Sequence, residues 1–301
     1  MKIAILSCHP KGVGPQRLKQ AAKDHGHSVR IIDYTKCYCN IEKNNPMVFY
    51  RGKPLNDLDA IIPRIATKNQ SFGSAIIRQF EMMGVYSTTG SLAFLRARDK
   101  LRSLQLLARH GIDIPITVFA RRAKDVDSLI DAVGGAPLII KLARGSLGAG
   151  VMLGETRKAA KSIIQAFYSQ NLSILIQEFI NESRGTDVRA FVINGKVVAA
   201  MRRTAVGDEF RSNVSLGGTT EVIDLTKKQT NLAIRAAQAM NLQIAGVDIL
   251  QAKRGPLVVE VNAFPGFEGI EGASGIDIAG QIMTHIEENT SKKRRRDKIG
   301  A

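Results

Sequence analysis

Two short patterns near the C-terminal end carry the clearest chemistry: Gly246-Val247-Asp248 and Glu260-Val261-Asn262. Each lies in an apolar run, and the intervening Ala252-Lys-Arg-Gly-Pro256 predicts a β-hairpin. Side chains at i and i+2 of a strand share a face, so Glu260 and Asn262 point together while Val259 and Val261 turn into a core. With Asp248 this gathers two carboxylates and an amide. Such hard oxygen donors suit Mg²⁺ or Mn²⁺ bridging nucleotide phosphates, and they lack the His and Cys that zinc favours. The sharp turn Ala263-Phe-Pro265-Gly266 fixes the ligand end of that strand.

A second candidate is Arg144-Gly-Ser-Leu-Gly-Ala-Gly150, between a strand ending at Lys141-Leu142 and another starting at Val151. Glycines let backbone N–H groups approach phosphate oxygens, and Lys141 adds a positive charge beside them. It is no Walker loop, because Val151 and a strand follow where Lys-Ser/Thr and a helix belong. Nor does Gly12-Val-Gly14 make a dinucleotide fingerprint, since Arg17 occupies the place of the third glycine.

Between these two lie Gln177-Glu178-Phe179, Asp187-Val-Arg189, Arg202-Arg203 and Phe210-Arg211-Ser212-Asn213. A strand-end Glu-Phe pair offers backbone groups and an apolar wall to an adenine. Asp187 and Arg189 alternate onto one face, and an Arg beside bound cations stabilises charge developing on a transferred phosphate or tetrahedral intermediate. Other catalytic plans compete poorly: there is no Gly-x-Ser-x-Gly elbow and no His-Glu-x-x-His, and the five histidines are not clustered at ligand spacing.

The elements that must carry these residues follow from the pattern of the chain. Up to about residue 90, β-rich runs (Lys2–Ser7, Val29–Asp33, Ala60–Ile65) alternate with helical segments at 15–25 and 74–83, predicting a small parallel sheet. Gly26 and Gly84 stand where C-terminal helix caps belong. From Ser91 one longer helical pattern runs to Gly111 and bridges to an α+β module. There, strands at 116–120, 138–142 and 174–180 alternate with helices near 124–133 and 156–169. A hairpin across Asn194-Gly195 follows, since Asn-Gly fits the type I′ turn. Helices at 226–240 and 275–288 flank the last hairpin.

With 301 residues, 44% hydrophobic and 23% charged, the chain is globular rather than disordered or fibrous. Lys and Arg number 43 against 27 Asp and Glu, giving a net charge of +16. Residues 292–298 hold six basic residues and one Asp, so the body is basic apart from its tail. Anionic partners are implied, whether nucleotides, nucleic acid or acidic polypeptides. The apolar run Ile3–Leu6 is too short for a signal-peptide core, and no stretch is long enough for a membrane helix, so a cytoplasmic protein is expected. Cys8, Cys37 and Cys39 cannot make a paired framework and read as reduced thiols.

Taken in order, Lys141, the glycine loop, Gln177-Glu178-Phe179, Asp187-Val-Arg189, Phe210-Arg-Ser-Asn213, Asp248 and Glu260-Val-Asn262 resemble an ATP-grasp carboxylate–amine ligase. More closely, Ala97-Arg-Asp-Lys-Leu-Arg102, Gly134-Gly-Ala-Pro-Leu-Ile-Ile-Lys141 and Arg254-Gly-Pro-Leu-Val-Val-Glu-Val-Asn262 resemble the RimK-type α-L-glutamate ligases, with similarity over about 1–288. The resemblance implies an α/β and α+β architecture. Residues 1–90 would form a pre-ATP-grasp parallel-sheet domain, 91–103 a connecting helix, 104–287 an ATP-grasp domain of two α+β subdomains, and 288–301 a basic tail.

The resemblance also implies a reaction. ATP phosphorylates a carboxylate, and the amine of L-glutamate attacks the acylphosphate, replacing a poor leaving group by phosphate. The acceptor it implies is the C-terminus of a small-subunit ribosomal protein, and relatives of this kind form oligomers. By the same resemblance Lys141 contacts phosphates, Glu178 and Phe179 lie near adenine and ribose, and Asp187 with Arg211, Ser212 and Asn213 surrounds nucleotide and intermediate, Arg211 being catalytic. Asp248, Glu260 and Asn262 would hold two Mg²⁺ or Mn²⁺ ions, with Lys100 and Arg203 as additional phosphate or acylphosphate contacts. There are two departures, Arg144 before the loop and Phe264 after the metal-binding Asn; the ATP chemistry is expected to survive both, and Phe264 bears on acceptor size or identity. The alternatives are an ATP-grasp ligase joining an amino acid to a small metabolite or cofactor, and a basic nucleic-acid-binding protein with a vestigial ATP site.

Overall fold

The computed structural model describes residues 1–121, 125–143, 150–207, 209–212 and 217–290. The chain opens with β1 (Lys2–Ser7), α1 (Val13–Asp24) and β2 (Ser28–Ile32), followed by three short strands, β3 (Cys37–Asn40), β4 (Met47–Tyr50) and β5 (Lys53–Pro54). Next come β6 (Ala60–Arg64), α2 (Gln70–Met82) and β7 (Tyr86–Ser87). The predicted parallel sheet forms in the order β2-β1-β6-β7. The small antiparallel sheet β3-β4-β5 was not evident from the sequence, because its strands are only two to four residues long and do not alternate cleanly. Gly26 (φ +74°) and Gly84 (φ +75°) close α1 and α2 in the left-handed conformation, as expected for caps.

The single bridging helix expected from Ser91 is two helices, α3 (Ser91–Arg98) and α4 (Lys100–Arg109). Asp99 breaks it. Its backbone is extended and its side chain accepts from the Arg102 N–H, so it caps α4 instead of continuing α3. Periodicity alone missed the break because leucines recur on both sides of it.

The next lobe contains β8 (Thr117–Ala120), α5 (Val126–Ala132), β9 (Leu138–Leu142), β10 (Val151–Gly154), α6 (Arg157–Ser169) and β11 (Ile174–Glu178). Its antiparallel sheet runs β10-β9-β11-β8. Helices α5 and α6 cover it with a separate core that includes Ile130, Leu138, Ile140, Ile164 and Ile176. The glycine loop, Arg144 to Ala149, lies outside the described residues, but the strands on either side of it pair antiparallel, Val151 opposite Lys141.

The last lobe has β12 (Thr186–Ile193), β13 (Lys196–Thr204), β14 (Thr219–Val222), α7 (Lys227–Ala239), β15 (Ile244–Ala252), β16 (Gly255–Asn262), α8 (Glu268–Ser274) and α9 (Ile278–Thr290). Its five strands are ordered β14-β13-β12-β15-β16, all antiparallel. Asn194 (φ +49°) and Gly195 (φ +73°) make the predicted tight turn. Thr226 and Gln229 form a capping box at the start of α7. One face of this sheet shares a core with α7 and the first lobe, and Phe191 and Ile193 on the other share one with α1 and α9. Most of the basic tail, residues 291–301, lies outside the described residues.

Candidate functional site

Register puts the charged residues of the last sheet in a row. Asp187 stands opposite Arg203, Arg189 opposite Asp248, Asp248 opposite Glu260, and Gly246 opposite Asn262. Directly opposed residues share a face, so charges from four strands converge on one side of the sheet.

The hairpin is not regular. Its register slips after Asp248, so that Ile249 pairs with Val258 and Val259 is the extra residue of a bulge. The expectation that Val259 and Val261 both enter the core is therefore corrected. Val258 and Val261 are fully buried, while Val259 is only half-buried. A bulge inserts one residue and resets the alternation, which lets β16 bury Val258 in its outer half and still aim Glu260 at Asp248.

Asp248 is buried and gripped by two arginines. Arg189 Nε donates to its Oδ1 and Arg189 Nη2 to its Oδ2, both at 2.7 Å, and Arg203 Nη2 lies 3.0 Å from Oδ2. Arg203 also holds Asp187 through both carboxylate oxygens. Burial alone would push the Asp248 carboxyl up; Arg189 and Arg203 reverse the sign and hold it below the usual range. Asp187 goes the other way, raised by burial and by the nearby charge of Asp248 against the pull of Arg203.

Glu260 keeps accessible surface but is ringed by protein, as on a cleft floor. Desolvation and the charge of Asp248 raise its pKa, opposed by Lys141, Lys100 and Arg189. Lys141, from β9 of the other lobe, faces the same carboxylate. Desolvation, with help from Lys100, brings its ammonium down to about 8, against the attraction of Glu260. Its Nζ donates to Gln177 Oε1 (2.7 Å), and Gln177 Nε2 donates to Thr117 Oγ1 (2.8 Å). The chain Thr117–Gln177–Lys141 spans three strands and aims the lysine, so Gln177 is a positioning residue that the motif contained without revealing its part.

The other predicted residues fall as follows. Glu178 ends β11 with its carboxylate already committed: Arg254 grips it through both oxygens, and Oε1 accepts the Ile116 N–H at 2.6 Å. Phe179, next to it, is half-buried. Ser212 is buried. The Arg211 guanidinium is paired with Glu209 at 2.7 and 2.9 Å, which brings the Glu209 carboxyl down to about 2. Asn213 lies outside the described residues. Lys100 is half-buried, its Nζ 3.5 Å from the Leu142 carbonyl. Phe264 packs face to tilted face on Phe94 (4.9 Å between centroids), and the Arg98 guanidinium lies over both rings. It is thus a strut between the turn after β16 and α3.

The donor set fits a hard divalent cation. A carboxylate offers about four lone-pair sites, and the two arginines take three of those on Asp248, leaving one on Oδ1. Glu260 is open to the cleft. The buried Asn262 Nδ2 has no hydrogen-bond partner among the described residues, an orphan that a bound, hydrated phosphate–metal group would satisfy.

Comparison with known proteins gives the family. Residues 97–286 match the RimK-like ATP-grasp domain and residues 1–94 the RimK PreATP-grasp domain. A protein of Picosynechococcus, described as a probable alpha-L-glutamate ligase, is 50% identical over 299 residues, covering 99% of each chain. One of Thioalkalivibrio sulfidiphilus with the same description is 52% identical over 294 residues, covering 98% of each. The solved structure of ATP-grasp ligase PsnB complexed with minimal precursor, Mg and ADP superposes with a TM-score of 0.75 at 20% identity, covering 97% of this chain and 98% of that one, a likeness of fold. Among the described residues no helix is long and apolar enough to cross a membrane. By its sequence from end to end and by its fold, the chain belongs to the RimK-like ATP-grasp family.

Proposed function

We propose that this protein is an ATP-dependent α-L-glutamate ligase that activates a carboxylate as an acylphosphate and joins it to the amine of L-glutamate. The observation that carries this reading is the convergence of Asp248, Glu260 and Asn262 on one face of the last sheet, with Lys141 of the neighbouring lobe facing Glu260. Support comes from the relatives' description as probable alpha-L-glutamate ligases and from the Mg and ADP in the complexed PsnB structure.

In this reading Asp248, Glu260 and Asn262 would hold two Mg²⁺ or Mn²⁺ ions, which would neutralise phosphate charge. Lys141 contacts the phosphates. The backbone at Glu178 and the ring of Phe179 flank adenine, and the Glu178 carboxylate braces that wall through Arg254 and Ile116. Arg189 and Arg203 keep Asp248 ionised, and Arg203 orients Asp187. Arg211, with Ser212 and Asn213, stabilises charge on the activated carboxylate once Glu209 yields its guanidinium. The acceptor is the C-terminus of a small-subunit ribosomal protein, reached by a chain whose net charge of +16 favours acidic peptides and ribosomal phosphates.

Intact-mass spectrometry of small-subunit ribosomal proteins incubated with the enzyme, ATP, Mg²⁺ and L-glutamate tests all of this. A ladder spaced by glutamyl masses on one protein is expected, with matching ADP release. ADP formed only with small carboxylates would overturn the acceptor, and no ADP with any acceptor would overturn the ligase reading.

A further inference from the structure

The sequence spacing of the histidines suggested no cluster, yet the fold builds one away from the cleft. Helix α1 ends in a Schellman turn: the Gly26 N–H donates to Lys23 O and the His27 N–H to Ala22 O, both at 2.8 Å, with Gly26 at φ +74°. His25 and His27 flank that glycine, and the turn directs both imidazoles to the same side. Glu287, in the last turns of α9, meets them there. Its Oε1 lies 3.1 Å from His25 Nδ1 and 2.8 Å from His27 Nε2. The three donor atoms all lie within 4.8 Å of one another.

We propose that His25, His27 and Glu287 form a site for a borderline divalent metal ion, Zn²⁺ by ligand type, fastening the turn after α1 to the end of α9. Two imidazole nitrogens and one carboxylate oxygen are a known three-ligand zinc set, with water in the fourth position. At Zn–N and Zn–O distances of about 2.0–2.1 Å, tetrahedral ligand atoms stand roughly 3.3 Å apart. The two nitrogen–oxygen separations therefore need to open by only a few tenths of an ångström. The surroundings favour a cation too, because the C-terminal ends of both α1 and α9 carry partial negative charge. His27 is nearly enclosed, with 9% of its side chain accessible, whereas His25 (27%) and Glu287 (37%) keep more accessible surface. The oxygen-only set at Asp248, Glu260 and Asn262 prefers Mg²⁺ or Mn²⁺, so the two sites sort metals by ligand softness.

The test uses the untagged full-length chain with millimolar Mg²⁺ present to occupy the oxygen site. Zinc is added in slight excess, free metal is removed by gel filtration, and bound zinc is measured by mass spectrometry of the metal. One equivalent is expected for the wild type and for Glu260→Ala, with a rise in melting temperature. In His25→Asn, altered at the more exposed ligand, zinc affinity should fall at least tenfold and the thermal shift should vanish, while the zinc-free melting temperature stays unchanged. Co²⁺ in place of zinc should give tetrahedral visible bands without thiolate charge transfer, which excludes the three cysteines. Substoichiometric zinc in the wild type, or an equal equivalent retained by His25→Asn and His25→Asn/His27→Gln, would overturn the site and leave only a hydrogen-bonded His–Glu cluster. None of these readouts depends on ligase activity.

Discussion

Arg189 and Asp248, on adjacent antiparallel strands, face each other directly and are joined by two parallel hydrogen bonds of 2.7 Å. The proposed metal-binding carboxylate is thus held ionised, flat and fixed before any ligand arrives. Truncating Arg189 would leave a buried carboxylate with only Arg203 beside it. Removing one partner of a buried pair costs about 3–5 kcal/mol, and the remaining arginine reduces that to about 2 kcal/mol for Arg189→Ala. Urea unfolding at pH 7 measures it.

The same pair sets an acid limb. Because the Asp248 carboxyl is lowered in the folded chain, its contribution to stability is present above the unfolded value of about 3.9 and lost as pH falls through the folded one. In Arg189→Ala the folded value rises toward the unfolded one, so this contribution shrinks and stability depends less steeply on pH below 4. Thermal melts from pH 6 to pH 2.5 would show the two curves converging in acid; parallel curves would contradict the assignment.

Lys141 titrates in the opposite sense. With its ammonium at about 8 and an unfolded value of about 10.4, the folded chain binds fewer protons between those limits. Keeping Lys141 charged therefore costs stability in full below pH 8, and the cost fades as pH rises to about 10.4. Lys141→Met should raise the melting temperature of the ligand-free chain at pH 7 while weakening ATP binding at least tenfold. In the wild type, ATP affinity measured by calorimetry should decline as pH rises through 8, and Lys141→Arg should flatten that decline.

Gly246 has no room for a side chain. A Cβ there would lie 2.7 Å from Pro265 Cβ, part of a stiff ring, and 3.8 Å from Asn262 Cβ. Gly246→Ala should displace the turn that fixes Asn262 and cost about 1–3 kcal/mol by overpacking. Its signature is a raised Mg²⁺ requirement for ATP turnover, with the apparent Mg²⁺ constant up about tenfold. An unchanged Mg²⁺ dependence would separate Gly246 from the site.

Glu178 braces the proposed adenine wall through its side chain, tied to Arg254 in the β15–β16 turn and to the Ile116 N–H. Glu178→Gln keeps an acceptor for Ile116 and should raise the ATP KM only about threefold, whereas Glu178→Ala removes both ties and should raise it tenfold or more. Arg254→Ala should resemble Glu178→Gln. Equal effects of Gln and Ala at position 178 would argue that the carboxylate itself contacts the nucleotide.

Much of this was legible along the chain. Asn194-Gly195 determines its hairpin because both residues tolerate positive φ, and Gly26 and Gly84 end their helices for the same reason. Residue type made Asp248, Glu260 and Asn262 a hard-cation set, since donor chemistry does not depend on the fold. Ordered motifs then carried the family, because nucleotide and metal contacts constrain residue and spacing together.

What only the tertiary structure decided is pairing across long separations. The bulge at Val259 depends on how β16 registers against β15, the arginine grip on Asp248 on three strands meeting, and the Gln177 link to Lys141 on strands from distant segments. Local pattern is blind to these, since periodicity specifies a face but not the neighbour opposite it. The meeting of His25 and His27 with Glu287, some 260 residues away, is of the same kind: it exists because α1 and α9 pack on each other in the folded chain.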